Sequence, residues 1–257
     1  MAADTSKAGS PGKSRGRASP AGSPRPEAGR SKRLADPLLA LVLLLSLTAG
    51  ATDTIGFLAL NGLFMAHITG NLVVLAARMV GQGQHELAQI LSVPVFVTVL
   101  ALTRLLAVVL RRSGRPSLAP LLLLHFLLLL GFLMLCLRLT GQFDPEAPCP
   151  VIAGMCGVAA MAVQNALVQA SLPGAPATAV MTTNLTRFVG ELIDDLACPP
   201  TDPPTRRWRM PNTLPAVLGF AAGCASAGFL EAWFGLRALV LPVALALAAL
   251  GVGLRQR

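Results

Sequence analysis

The sequence predicts an all-α, polytopic membrane protein. Three observations carry that expectation: 54% hydrophobic against 13% charged residues, a mean hydropathy of +0.65, and a succession of apolar runs of bilayer length. A soluble domain carries about 25% charged residues. One soluble core could not hide this much apolar side chain without a large greasy surface. The composition therefore excludes a soluble enzyme, a disordered protein and a secreted disulfide scaffold.

The chain opens on a basic segment. Lys7, Lys13, Arg15, Arg17, Arg25, Arg30, Lys32 and Arg33 crowd its start among Ser, Pro, Gly and Ala, a mixture that builds no core, so residues 1–35 read as a disordered cytoplasmic tail. The tail supplies much of the net charge of +9. Basic residues just ahead of an apolar run act as a topology signal or touch anionic lipid. No nucleic-acid recognition module follows, so nucleic acid is not expected as a partner.

A first membrane half, residues 36–139, contains Leu38–Ala51, resuming after Asp53 as IGFLALNGLFM, then a short run His67–Val80, then Ile90–Leu110 and Leu118–Leu137. An extracytoplasmic loop is expected over 140–150. The second half, 151–257, holds Val151–Leu172, a more polar stretch Thr178–Leu196, then Leu214–Phe234 and Leu236–Leu254. A bilayer core of ~30 Å needs about 20 helical residues; the two segments beginning at His67 and Thr178 fall short of it. Ala49-Gly50-Ala51 has the look of a signal-cleavage site, but the apolar pattern continues past it, so the first helix is expected to stay. Cys136, Cys149, Cys156, Cys198 and Cys224 form no Cys-x-x-Cys pair and lack a His at zinc spacing, so they read as free thiols, and no metal or cofactor is expected.

The two short segments resemble each other. Aligning Thr69-Gly70-Asn71 with Thr182-Thr183-Asn184 sets Asn-Leu on Asn-Leu, with Asp53 upstream of one and Gln164-Asn165 upstream of the other. Each is followed by two long apolar runs, which suggests an internal repeat. Charge then orients it. If both short segments dip in and return, six transmembrane helices remain. The tail, Arg111–Arg115, Arg206-Arg207-Trp208-Arg209 and Arg255/Arg257 then share the cytoplasmic side, as the positive-inside rule requires. Three crossings per half invert the second half relative to the first, a plan that recurs in secondary transporters with midplane sites at the breaks. The expected location is the plasma (inner) membrane, with both termini inside.

The stretch DTIGFLALNGLFMAHITGN (residues 53–71) resembles the signature of the YoaK family of multi-pass membrane proteins. Gln164-Asn165-Ala166 and Thr182-Thr183-Asn184-Leu185-Thr186 match its second-half motifs, with Thr183 where a Gly is usual. The resemblance spans roughly residues 36–254 and implies membrane location and architecture, not an activity.

Candidate site residues are polar groups at membrane depth. A carboxylate there costs on the order of 3 kcal/mol on lenient insertion scales, which makes Asp53 a functional candidate, although Asp-Thr before IGFLAL also suits a helix N-cap. His67, Thr69 and Asn71 would converge only on an unwound backbone, which Gly70 permits. Gln164, Asn165, Thr182, Thr183 and Asn184 are their counterparts, and Arg187, at helical spacing from Glu191, is an ion-pair or anion-binding candidate. Arg104 is expected to snorkel, His125 to bridge helices, and GFAAGCASAG (residues 219–228) to pack closely. Catalytic signatures such as Gly-x-Ser-x-Gly or His-Glu-x-x-His do not occur. The leading expectation is a small-solute or ion transporter with a midplane polar site, and not an enzyme. The alternatives are a membrane-embedded enzyme, or an assembly or structural protein whose polar residues only hold helices together.

Overall fold

The computed structural model describes residues 28–80, 87–138, 147–197 and 213–255, with side chains for all of these except 28–36, 191 and 194–196. The helices are α1 (Ala28–Ala59), α2 (Ile68–Val80), α3 (Leu87–Arg112), α4 (Leu118–Leu137), α5 (Pro148–Ser171), α6 (Met181–Ala197), α7 (Thr213–Phe234) and α8 (Val240–Leu254); a 3-10 turn, Gly235–Leu239, joins the last two. No strand occurs among the described residues.

Five stretches are long and apolar enough to cross a membrane: Pro37–Ala59, Leu87–Arg112, Leu118–Leu137, Pro148–Ser171 and Thr213–Leu254. The last, at 42 residues, contains both α7 and α8. Large apolar side chains such as Val73, Met79, Leu105, Phe229 and Trp233 are exposed, the distribution of a molecule whose solvent is lipid. α2 is too short to join the list, and α6 sets exposed Leu185, Val189, Leu192 and Ile193 on one stripe.

Close contacts fix the relative directions of the helices. Along α1 and α7 the meeting residues rise together: Leu43 with Gly219, Leu47 with Gly223, Thr54 with Gly228. The pair is therefore parallel. α4 runs against α5, with Ser117 bonded to Ser171 at 2.8 Å and His125 to the Ala160 carbonyl at 3.0 Å. α3 starts beside the far end of α1, Gln89 donating to the Asn61 carbonyl at 3.0 Å, and ends beside the end of α5, Arg111 reaching the Ala170 carbonyl at 3.3 Å. Gly253 meets Leu118 and Leu122, so α8 runs against α4. Thus α1, α4 and α7 point one way, and α3, α5 and α8 the other. α1 also packs on α8, α2 on α3, and α6 on α7.

α5 is the central helix. Ala153, Gly154, Gly157, Ala160 and Ala162 are buried along it. Such small residues let backbones approach, which is how helices associate where no water drives them together. Phe132, Met65 and Met161 fill the space on one level, and Leu41, Leu45, Leu121 and Leu167 on another.

Several boundaries differ from those read in the sequence. α1 begins at Ala28, inside the stretch expected to be disordered, and passes unbroken through Asp53, so Asp53 does not cap a helix. The breaks lie upstream of the Thr/Asn motifs: Thr69, Gly70 and Asn71 sit in the first turn of α2, and Thr182, Thr183 and Asn184 in that of α6. α5 starts at Pro148, which shortens the loop expected over 140–150. The first 27 residues, Asp144, Glu146, Cys198 and the basic loop at 206–209 lie outside the described residues. His125 bridges α4 to α5, as expected, while Cys136, Cys149, Cys156 and Cys224 are free thiols.

The α1/α7 contact is testable. A Cβ on Gly223 would lie 2.3 Å from the Leu47 carbonyl oxygen, whereas one on Gly251 meets nothing within 4 Å. Gly223→Leu should lose on the order of 3 kcal/mol by overpacking a backbone contact, and Gly251→Ala should lose nothing. Thermal unfolding of both variants in detergent checks this.

Candidate functional site

The site grows from a break in the chain. α1 ends at Ala59, and Asn61 and Gly62 adopt left-handed backbone (φ 51° and 72°), turning the chain back on itself. Residues 63–67 are non-helical, and α2 starts at Ile68. Backbone polar groups at such a break need partners, because lipid offers none.

Asp53 supplies them from within α1. Its Oδ1 accepts the N–H of Met65 at 2.7 Å and of Ala66 at 2.6 Å, and its Oδ2 pairs with His67 Nδ1. The Asp53 side chain is 5% exposed. Three donors on two oxygens are what make a buried negative charge tolerable, since charge-assisted hydrogen bonds replace its lost hydration.

Asn71 performs the second closure. Its Oδ1 accepts the Phe64 N–H and its Nδ2 donates to the Phe64 carbonyl, both at 2.8 Å, imitating a backbone pair. Nδ2 also donates to Ser92 Oγ at 2.9 Å, and Ser92 in turn donates to the Gln89 carbonyl. Asn71 is fully buried.

His67, with 38% of its side chain exposed, faces a cavity of about 600 Å³ between α1, α2 and α7. Thr54, Thr69 and Cys224 add polar atoms to the wall, and the rings of Phe57, Phe64 and Phe220 make most of it apolar. Phe64 and Phe220 meet the imidazole edge-on, at centroid distances of 6.1 and 5.5 Å. Because Nδ1 is committed to Asp53, the other ring nitrogen, Nε2, is the one left for a guest. No group of three or more His, Cys, Asp or Glu that could hold a metal occurs among the described residues.

The residues expected to form one midplane site separate into two places. Asp53, His67 and Thr69 are brought together on the cavity, while none of Asn71, Gln164, Asn165, Thr182, Thr183, Asn184 or Arg187 lines it. Gln164 is buried and donates to the Leu45 carbonyl on α1, eight residues below Asp53, or about 12 Å along the axis at 1.5 Å per residue. Asn165 bonds only back to Met161 on its own helix, at 2.9 Å. Asn184 is buried; Thr182, Thr183 and Arg187 are exposed. The side chain of Glu191, the expected partner of Arg187, lies outside the described residues. Sequence reasoning passed over Thr178, Gln89, Ser92 and the cavity phenylalanines. Of these, Gln89 and Ser92 did carry a signal: two polar residues three apart on one face of an apolar helix.

Asn71→Ala strands the Phe64 N–H and carbonyl and should cost about 2 kcal/mol. Thr69→Ala, on the exposed cavity wall, should leave the same unfolding curve in place.

No curated protein and no solved structure matches the chain. Residues 41–252, which take in both polar breaks and all but the ends of the helical bundle, match the family described as Protein of unknown function (DUF1275), and the protein belongs to that family.

Proposed function

We propose that this is a transporter of a small organic solute, built as an inverted repeat of three crossings per half and working by alternating access. The observation that carries it is the Asp53–His67 pair: an ionisable couple anchored by Asp53 in a bilayer-length helix and opening through its imidazole, in the break after that helix, onto a cavity. Such groups are expensive in lipid and mark solute or ion pathways. The solute would present a hydrogen-bond acceptor to His67 Nε2 and an apolar body to the phenylalanines. Asp53 itself positions rather than binds, since its oxygens are occupied. The reading assigns the pocket to passage, not to covalent change.

Support for the repeat comes from packing and from polar closure. α1 lies along α7 as α5 lies along α3, α1 packs on α8 as α5 packs on α4, and α2 rests on α3 as α6 rests on α7. Exchanging α1 with α5, α2 with α6, α3 with α7 and α4 with α8 maps one set onto the other. Asp53 bonds a residue 14 positions on, as does Gln164; Asn71 closes on a carbonyl seven residues back, as does Asn184. Six crossings follow if Gly235, at φ 56°, and the 3-10 turn after it return the chain between α7 and α8. The starts of α1, α4 and α7 and the ends of α3, α5 and α8 then share one face with Arg111, Arg112, Arg115 and Arg255. The positive-inside rule supports reading that face, and both termini, as cytoplasmic at a plasma (inner) membrane.

The saturation of Asp53 favours one competing reading, a structural tie between α1 and the break. Proteoliposomes separate the two. After a thermal-shift panel has named a stabilising solute, flux of that solute should fall at least tenfold in His67→Ala while the bundle stays folded and monodisperse. Undiminished flux in that variant removes the pair from the mechanism. A panel without any stabilising solute, with His67→Ala and Asp53→Asn merely less stable, leaves the structural tie.

A further inference from the structure

The two closures are finished differently. In the one built on Asp53 and Asn71, Asn71 Oδ1 accepts from Phe64 and the Asp53 oxygens accept from Met65, Ala66 and His67, while Gln89 Oε1 beside them has no partner among the described residues. In the second, only the amide nitrogens are used. Gln164 Nε2 donates to the Leu45 carbonyl and to Thr178 Oγ1, each at 2.9 Å, and Asn184 Nδ2 donates to the Ala177 carbonyl at 2.6 Å. Gln164 Oε1 and Asn184 Oδ1 have no hydrogen-bond partner among the described residues, although the side chains are 0% and 1% exposed.

Turning either amide over does not help, because it would set oxygen against carbonyl oxygen. The orientations are thus fixed by the donors, and the oxygens are left as acceptors. Each unmatched buried acceptor is destabilising. The two side chains anchor on adjacent residues, Ala177 and Thr178, of one loop, which draws both amides to the same stretch of chain.

The chemistry of that region selects what completes it. The oxygens that these bonds bring to the loop are neutral: two amides, the Thr178 hydroxyl and the Ala177 carbonyl. Divalent ions take carboxylates, which the described side chains here lack. The negative end of the α5 dipole, at Ser171, precedes the loop, and unwound carbonyls beside a helix C-terminus are a recurring monovalent-ion environment in transporters. We propose that Gln164, Asn184 and Thr178 hold a sodium ion, and that this ion is the one coupled to solute movement at the His67 cavity. The coupling role rests on the transport reading; the binding itself does not.

The test is binding on the purified full chain in detergent, in sodium, potassium or choline chloride at constant ionic strength. Thermal unfolding should show a saturable upward shift with sodium, at lower concentration than with potassium, and none with choline. Radioactive sodium should bind at one ion per chain. Asn184→Ala and Gln164→Leu should abolish both signals. Should those variants fold poorly, Thr178→Val removes one ligand oxygen without disturbing the amide bonds to the Ala177 and Leu45 carbonyls, and should raise the half-saturating sodium concentration at least fivefold. The proposal is overturned by a wild type with no sodium-specific shift or bound ion, by a potassium response equal to or stronger than that of sodium, by a signal that survives in both truncated variants, or by unchanged half-saturation in Thr178→Val. Sodium binding without solute flux would sink the transport reading alone; flux without sodium binding would sink this site alone.

Discussion

A carboxylate inside a bilayer-length helix persists only where its charge is met in place. Asp53 meets that condition by drawing the chain beyond α1 back onto itself, so that two backbone N–H groups and an imidazole surround it. The same bonds give the non-helical residues before α2 the partners that lipid would deny them. Burying the acid and breaking the helix are thus mutually dependent. What faces the cavity follows from it: with one ring nitrogen tied down, His67 offers the other.

The two polar nodes lie at different levels of α1, one anchored on Asp53 and the other on the Leu45 carbonyl. They share a grammar, a side chain reaching 14 residues ahead and an asparagine reaching seven back, but not a charge. The ionisable node opens to the cavity and the neutral one is sealed within the bundle. In the proposed transport cycle these are complementary tasks, recognition at an accessible wall and ion selection in a closed one. A duplicated framework would let one copy keep the acid while the other replaced it with an amide.

Much of the fold was legible because hydropathy is additive along the chain. The long apolar runs became long helices, and the Gly219–Gly228 stretch packs through its glycines as its spacing suggested. Polar residues at membrane depth stand apart in the sequence because of their cost in lipid, but their grouping was not readable. Thr69, Gly70 and Asn71 looked like a helix break; they lie within α2 because the amide of Asn71 reaches back to Phe64 and moves the break upstream. Asp53 looked like a cap because Asp-Thr suits one locally, while its partners stand 12 to 14 residues away. A reading by local spacing has no access to bonds of that reach, nor to the cavity phenylalanines, which only the α1, α2 and α7 packing brings together.

The parallel contact between α1 and α7 bears on how the molecule can move. Gly50 and Gly223 bring backbone against backbone, close enough that an added methyl group would collide with a carbonyl oxygen on the opposite helix of the pair. Surfaces fitted so tightly do not slide. Yet the two helices come from opposite ends of the polypeptide, so the units that travel as solid pieces are not its sequential halves. Any rocking motion must carry α1 and α7 together as one lever, with hinges at the polar breaks where helix gives way to loop.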